Sequence, residues 1–133
     1  MSDVSQAVPA EPALSREQRA ALAHGLAQFN DRLFFECHDT LEEAWSGLRG
    51  APRNFFQGLI QASVAFYHLG NGNRKGALSV LRRSLARLEP FPARYGGVEL
   101  EPLRVSLRAF LRGLETGAAL PSEPPRIAAE VGA

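Results

Sequence analysis

Apolar residues recur at three- and four-residue spacing along most of the chain, which is the spacing of helices that bury one face. The pattern predicts five helices, the first starting with a capping box at Ser15 and Gln18 and the fourth with a cap at Asn73. The predicted helices span residues 15–30, 32–48, 53–69, 74–88 and 102–114. No segment shows the convincing alternation of apolar and polar residues that is typical of a strand. The sequence therefore predicts an all-α fold, a five-helix bundle of mostly antiparallel helices.

Both ends of the chain lack the helical pattern. Residues 1–14 and 117–133 are rich in Ala, Pro, Ser, Gly and Glu and contain few large apolar side chains. Such segments bury too little apolar surface to offset the entropy that is lost on ordering. We therefore expect a flexible N-terminal tail over residues 1–14, one helical domain over residues 15–116 and a flexible C-terminal tail over residues 117–133.

The third predicted helix is apolar almost all round, which is typical of a central, buried helix. Its only polar stripe is formed by Gln57, Gln61 and His68, which fall within one narrow arc. Because a buried amide or imidazole costs about 1–3 kcal/mol when it has no hydrogen-bond partner, these side chains are expected to meet polar groups of a neighbouring helix.

The second predicted helix offers such groups. His38 and Glu42 lie one turn apart and are bracketed by large apolar residues, whereas Asp39 falls on the side expected to face water. If the second and third helices form an antiparallel hairpin, Gln61 lies level with His38 and Gln57 lies level with Glu42. The sequence thus predicts a buried His/Glu/Gln constellation between the two helices.

Three interpretations of this constellation stay open. The residues form a structural hydrogen-bond network, or they line a small-molecule or hydrolytic site in which Glu42 is the base and His38 its partner. A divalent metal held by His38 and Glu42, with His68, is disfavoured because amides are poor ligands and the third helix has no Glu-x-x-His pair. We therefore predict no metal and no cofactor, and we leave open whether the protein is an enzyme.

The strings FNDRLFFECHDTLEEAW and FFQGLIQASVAFYHLGNGNRKGAL resemble the family called domain of unknown function 309, over about residues 29–115. Many relatives have Glu where this chain has Asp39, which is a mild departure. The resemblance implies an all-helical fold and a cytosolic setting, and it supplies no reaction. It indicates where a site is to be sought. The candidate catalytic residues are His38 and Glu42, and the candidate ligand-binding residues are Glu36, Trp45, Gln57, Gln61 and His68.

A second functional class is a protein-interaction module. The segment from residue 65 to residue 90 resembles one tetratricopeptide unit, with Gly70, Ala77, Leu81 and Pro90 near its small, small, large and terminating positions. Such units normally stack in groups of about three or more, and the chain holds one copy. The partner is therefore left open between a small polar molecule and a protein.

Composition narrows the setting. The 133 residues carry 15 basic and 14 acidic side chains and a single cysteine, so a disulfide framework and a multi-cysteine zinc site are excluded. Cys37 falls on the apolar arc of the second helix and is expected to be a buried, inert thiol. No apolar run approaches the roughly 18 residues that cross a bilayer. We expect one cytoplasmic domain without a membrane partner.

Basic residues concentrate in residues 74–112, where Arg104, Arg108 and Arg112 form a stripe opposite the Leu face of the fifth helix. The stripe is expected to be a solvated helix face. Nucleic-acid binding is not expected, because the net charge is only +1 and no aromatic residues interleave with the arginines.

Overall fold

Five helices and one small β-hairpin make up the computed structural model, which describes residues 8–132. The helices are α1 (Arg16–Asn30), α2 (Phe34–Trp45), α3 (Gly50–Gly70), α4 (Arg74–Leu88) and α5 (Leu100–Thr116). The strands β1 (Arg94–Tyr95) and β2 (Val98–Glu99) form an antiparallel pair between α4 and α5. The predicted all-α class with five helices is confirmed. None of the helices within residues 8–132 is long and apolar enough to cross a membrane.

Local signals set several helix ends. The Ser15 hydroxyl accepts a hydrogen bond from the Gln18 backbone N–H at 3.0 Å, and the Gln18 amide oxygen accepts one from the Ser15 N–H at 2.9 Å, so the capping box is confirmed. The Asn73 side chain caps α4 by accepting from Gly76 N–H at 2.9 Å. Helix α2 is shorter than predicted, because Arg32 adopts a left-handed conformation with φ 68° and separates α1 from α2.

Helix α3 lies at the centre of the molecule, as its all-round apolar surface predicts. It packs against α2 on one side and α4 on the other. Its contact with α4 is closest at Gly58, where the Ser84 hydroxyl donates a 2.7 Å hydrogen bond to the Gly58 carbonyl and the Leu88 side chain fills the space above the glycine. This close approach fixes the helix pair that supports the α2–α3 surface.

The hairpin was not expected from the sequence. Tyr95 and Val98 are fully buried, and the Tyr95 ring packs on Phe55 and Phe91 at centroid distances of 4.8 and 4.6 Å. Gly96 and Gly97 turn the chain with positive φ values of 59° and 80°. Strands of two residues are too short to show an alternating pattern, which explains why only the turn was visible in the sequence.

The C-terminal segment differs from the expectation of a flexible tail. Ile127 is buried, and its backbone exchanges two hydrogen bonds with the Asn30 side chain, at 2.7 and 3.0 Å. Ala129 forms a bridge with Val98 of the hairpin. These contacts order the segment despite its polar composition. Residues 1–7 and 133 of the expected tails lie outside the described residues, and the domain limits at residues 15 and 116 stay a prediction.

Arg104 corrects the expectation of a solvated arginine stripe on α5. Only 5% of Arg104 is exposed, and its guanidinium donates to the carbonyls of Leu88 and Phe91 at 2.7 and 2.8 Å and to the Glu101 carboxylate. The carbonyls at the end of a helix have no partner within that helix and need donors from elsewhere. Arg104 therefore closes the end of α4.

Candidate functional site

The imidazole of His38 lies between two carboxylates on α2. Its Nδ1 is 3.4 Å from Asp39 Oδ1, and its Nε2 is 3.4 Å from Glu42 Oε2. The His38 side chain is 24% exposed, whereas the side chains of Asp39 and Glu42 are 61% and 51% exposed. The group therefore sits at the rim of the α2–α3 contact, with the carboxylates in water.

This arrangement differs from the predicted buried constellation. Gln61 is buried and Gln57 half-buried, yet within residues 8–132 neither amide forms a hydrogen bond with His38 or Glu42. The oxygen of Gln61 and the Nδ1 of His38 are buried without a hydrogen-bond partner in the same part of the chain. The reason is that α2 is a peripheral helix that buries only Cys37 and Leu41, so the Glu42 carboxylate keeps its hydration.

His38 and His68 do line one cavity, which we call the histidine notch. Its volume is about 160 Å³. The residues that line the notch are Phe34, Phe35, His38, Val64, Tyr67 and His68. The Nδ1 of His68 is 3.4 Å from the Asn73 amide nitrogen, so His68 is tied to the start of α4. The structure therefore places His68 and His38 at one cavity, and the ligand-binding assignment of His68 stays a prediction.

Exposed apolar side chains surround the notch. Leu33, Phe35 and Tyr67, which we call the aromatic face, are 44%, 49% and 41% exposed, and they are three of the five exposed large hydrophobic residues in the described part of the chain. The Phe35 ring lies 5.5 Å from the Tyr67 ring and 5.6 Å from the His38 ring, centroid to centroid. A groove of about 520 Å³ continues from the aromatic face towards Glu36 and Asn71. The predicted candidate Glu36 lies at this groove.

Helix α2 gives this surface a negative charge. Residues 33–48 contain no Lys or Arg. Of their four carboxylates, Glu36 borders the groove and Asp39 and Glu42 flank His38, whereas Glu43 lies on the side of α1. The flanking arginines donate to backbone carbonyls: Arg32 to those of Pro124 and Pro125, and Arg49 and Arg53 to that of Leu48. The surface is therefore apolar and acidic together.

Trp45, a predicted ligand-binding residue, lies at the other end of α2. The Arg53 guanidinium covers its ring at 3.8 Å from the centroid, which is the geometry of a cation–π contact. Its Nε1 is buried without a hydrogen-bond partner among the described residues. The structure therefore separates Trp45 from the histidine notch, and this end of the helix presents no free aromatic surface.

Asp39 is predicted from the sequence to lie on the solvated face of the second helix, and the structure places it beside His38. Together, His38, Asp39 and Glu42 offer three metal-ligating atoms that lie within 4.8 Å of one another. The two carboxylates approach different nitrogens of the imidazole, Asp39 at Nδ1 and Glu42 at Nε2. His68 is not part of this cluster. Adjacency of Asp39 to His38 in the sequence was the only signal that could have found it.

Cys37 lies behind this surface. It is buried, as predicted, and burial raises the pKa of its thiol to about 12, an effect that hydrogen bonding with Ser63 partly offsets. At neutral pH the thiol is therefore protonated, and it is a poor nucleophile because the thiolate is the reactive form. Cys37 supports the core and has no place in the candidate site.

Comparison with known proteins agrees with the motifs. Residues 22–80 match the model of the family described as "Domain of unknown function (DUF309)". An uncharacterized protein of Aquifex aeolicus (strain VF5) is 27% identical over 85 residues, which are 63% of this chain and 26% of that protein. The uncharacterized protein YpuF of Bacillus subtilis (strain 168) is 37% identical over 59 residues, which are 44% of this chain and 34% of YpuF.

The match thus spans about a quarter to a third of the length of these curated relatives. The relatives are uncharacterised, and they supply no reaction for this chain. The aromatic face, the histidine notch and both carboxylates of the His38 group all lie inside the matched residues. The similarity to the domain of unknown function 309 family therefore covers residues 22–80, the segment that carries the candidate site.

Proposed function

We propose that this protein is an interaction module that binds a segment of a partner protein on the aromatic face. The observation that carries the proposal is the exposure of Phe35 and Tyr67, whose rings touch each other across α2 and α3. Leaving large apolar side chains in water forgoes about 25 cal/mol for each Å² that could be buried. Contiguous apolar surface of this kind marks binding sites.

The shape of the surface favours a protein segment over a small substrate. Pockets for small ligands commonly enclose about 300–1,000 Å³ and bury most of the ligand, whereas the histidine notch measures about 160 Å³. The larger groove beside it is bordered by the half-exposed side chains of Leu33, Phe35 and Tyr67, so it is a surface feature rather than an enclosed cavity. A peptide side chain fits the notch while the rest of the segment covers the groove.

A hydrolytic role for His38 and Glu42 has less support. A general base works best where the site excludes water and holds the reacting group in position. The Glu42 carboxylate is half-exposed, and the cavity at its neighbour His38 measures only about 160 Å³. The catalytic assignments of His38 and Glu42 remain predictions, and so do the ligand-binding assignments of Gln57 and Gln61.

Selection from a displayed library of random peptides tests the proposal. We expect peptides that bind the wild-type domain, with about tenfold lower enrichment on a Phe35→Ala/Tyr67→Ala variant, because aromatic anchors carry much of the energy of an interface. The control is Val105→Ala, which removes an exposed apolar side chain from α5.

Circular dichroism and thermal melting establish that each variant is folded before selection. A Phe35→Leu/Tyr67→Phe variant keeps the apolar volume and should retain most of the enrichment. Equal enrichment on wild type and on the folded double-alanine variant would contradict the proposal, as would an absence of any peptide enriched above the naive library.

We also propose a cytoplasmic location. Its support is the single cysteine, which is free and buried, since small proteins of oxidising compartments are commonly stabilised by disulfides. Fractionation of cells that express the tagged protein should recover it in the cytoplasmic fraction. Recovery in the secreted or membrane fraction would contradict this part of the proposal.

A further inference from the structure

We infer that the partner segment is basic, with a Lys or Arg side chain held by Asp39 and Glu42 and an apolar side chain seated in the histidine notch. The inference rests on the proposed function and adds the chemistry of the partner. It is carried by the position of the two carboxylates, which lie at 3.4 Å on either side of an imidazole that itself lines the notch.

The charge of α2 lacks a counterpart on its own surface. Residues 33–48 contain four carboxylates and no Lys or Arg, and the arginines at the two ends, Arg32, Arg49 and Arg53, donate to backbone carbonyls. Among the described residues, the ion pairs of Asp39 and Glu42 are with His38 alone. A cation from a partner would therefore meet uncompensated negative charge, and electrostatic complementarity of this kind favours basic partners and disfavours acidic ones.

The geometry also limits the spacing within the partner. Because His38 belongs both to the notch and to the carboxylate group, the apolar anchor and the cation must be separated by about the length of one side chain. In a helical partner this corresponds to residues three or four apart, which share one face. The same side of the partner would carry a second apolar residue for the groove at Leu33.

The Phe35–Tyr67 pair provides a second contact for a basic side chain. At the other end of α2, Arg53 of this chain already covers the Trp45 ring at 3.8 Å. No cation covers Phe35 or Tyr67 among the described residues, although both rings are about half-exposed. An arginine of the partner can stack there in the same manner.

A second copy of this chain is a poorer occupant. A two-fold symmetric dimer through this surface brings the α2 carboxylates of both copies into one interface. Like charges at an interface cost several kcal/mol in general, and no cation within residues 33–48 relieves them. Nucleic acid is disfavoured by the same charge.

The peptide selection distinguishes this inference from the proposed function. We expect the peptides that depend on Phe35 and Tyr67 to be enriched in Lys and Arg, at positions one to four residues from a large apolar residue. An Asp39→Asn/Glu42→Gln variant should bind a synthetic peptide from this set about three- to fivefold more weakly, and raising the salt from about 50 to 300 mM should weaken wild-type binding.

The matched control is Glu43→Gln, which removes a carboxylate of the same helix that borders a groove against α1 instead of the aromatic face. Its affinity should stay at the wild-type value. If the selected peptides depend on Phe35 and Tyr67 but are neutral or acidic, or if Asp39→Asn/Glu42→Gln binds them as tightly as Glu43→Gln does, the inference is wrong and the proposed function stands. If no peptide depends on Phe35 and Tyr67, both are wrong.

Discussion

Single residues of α2 divide between the core and the surface, and Cys37 is the clearest of those in the core. Its thiol is buried one position before His38, so two adjacent residues of one helix turn have opposite environments. Burial raises the pKa of the thiol to about 12 from an ordinary value of 9.0. The pKa of Cys37 is therefore a measure of how tightly the core beneath the aromatic face is packed.

We predict that alkaline pH lowers stability through Cys37. The folded protein keeps the thiol proton up to about pH 12, whereas the unfolded chain releases it above about pH 9, so stability is lost as the pH rises through this window. Between pH 8 and pH 10, urea unfolding should show wild type losing about 1 kcal/mol more than Cys37→Ala. Alkylation by iodoacetamide at pH 8 should be slow until urea unfolds the protein. Equal pH dependence of the two proteins would contradict the prediction.

Gly58 shows how one missing side chain sets a helix contact. A Cβ at this position would lie 2.6 Å from the Cδ2 atom of Leu88, which is fully buried and cannot move aside. We predict that Gly58→Ala destabilises the protein by about 1–3 kcal/mol. Gly70→Ala is the matched control, because nothing lies within 4 Å of its added Cβ, and denaturant titration should give it unchanged or slightly raised stability.

At the scale of the elements, the end of α4 depends on a side chain from α5. The guanidinium of Arg104 donates to the Leu88 carbonyl, which also accepts from the Phe91 N–H at 3.2 Å, and to the Phe91 carbonyl in the turn that follows α4. The pairing positions α5 and the hairpin against the α3–α4 pair. The elements are thus joined by a polar contact as well as by apolar packing.

Substitution of Arg104 should therefore be far more costly than substitution of its neighbour on the stripe. We predict that Arg104→Gln destabilises the protein by about 2–4 kcal/mol, since it removes the buried guanidinium that donates to the Leu88 and Phe91 carbonyls. Arg108, which forms ion pairs with Glu89 and Glu101 at the surface, should give a much smaller loss as Arg108→Gln. Thermal melting of the two variants checks the order, and equal losses would show that Arg104 does not cap α4.

Over the whole molecule, the C-terminal segment connects parts that are distant in the sequence. Ile127 reaches Asn30 at the end of α1, 97 positions earlier, and Ala128 accepts a hydrogen bond from the Glu99 N–H of the hairpin at 2.9 Å. Arg32, which starts the approach to α2, is held by the Pro124 and Pro125 carbonyls. The segment therefore supports the junction from which the aromatic face begins.

We predict that Ile127→Ala lowers the unfolding free energy by about 2 kcal/mol, because it removes a buried side chain that seals the segment against the domain. Hydrogen exchange should show faster exchange of the Ile127 and Glu130 amides, which bond to Asn30 and Gly97. Glu123→Ala changes an exposed side chain of the same segment and should leave stability unchanged. Unchanged stability of Ile127→Ala would indicate that the segment is only loosely attached.

The sequence predicts what depends on near neighbours. The capping box at Ser15, the cap at Asn73 and the central place of α3 follow from spacing alone, and the structure confirms them. Contacts between residues that are distant in the sequence cannot be predicted from spacing. Composition cannot show that Ile127 meets Asn30 or that the guanidinium of Arg104 turns towards the end of α4.

The candidate site shows the same division. The arc of α2 places His38 and Glu42 together, and the cavity that His38 and His68 share agrees with the expected hairpin. The position of Glu42 on this arc does not show that α3 leaves its carboxylate exposed to solvent, because burial depends on how the two helices are placed in space. For the same reason, the sequence does not predict that Phe35 and Tyr67 are exposed.

The two described ends of the chain border one small cavity. Glu11 accepts a hydrogen bond from the Gly96 N–H, the Glu130 N–H donates to the Gly97 carbonyl, and residues from both ends line the space between them. Adjacent ends are the usual condition for circular permutation and for insertion into a loop of a host protein. A short Gly-Ser linker can therefore join the chain near Glu11 to the chain near Glu130, and a host protein can carry the segment between them as a graft whose two junctions lie side by side.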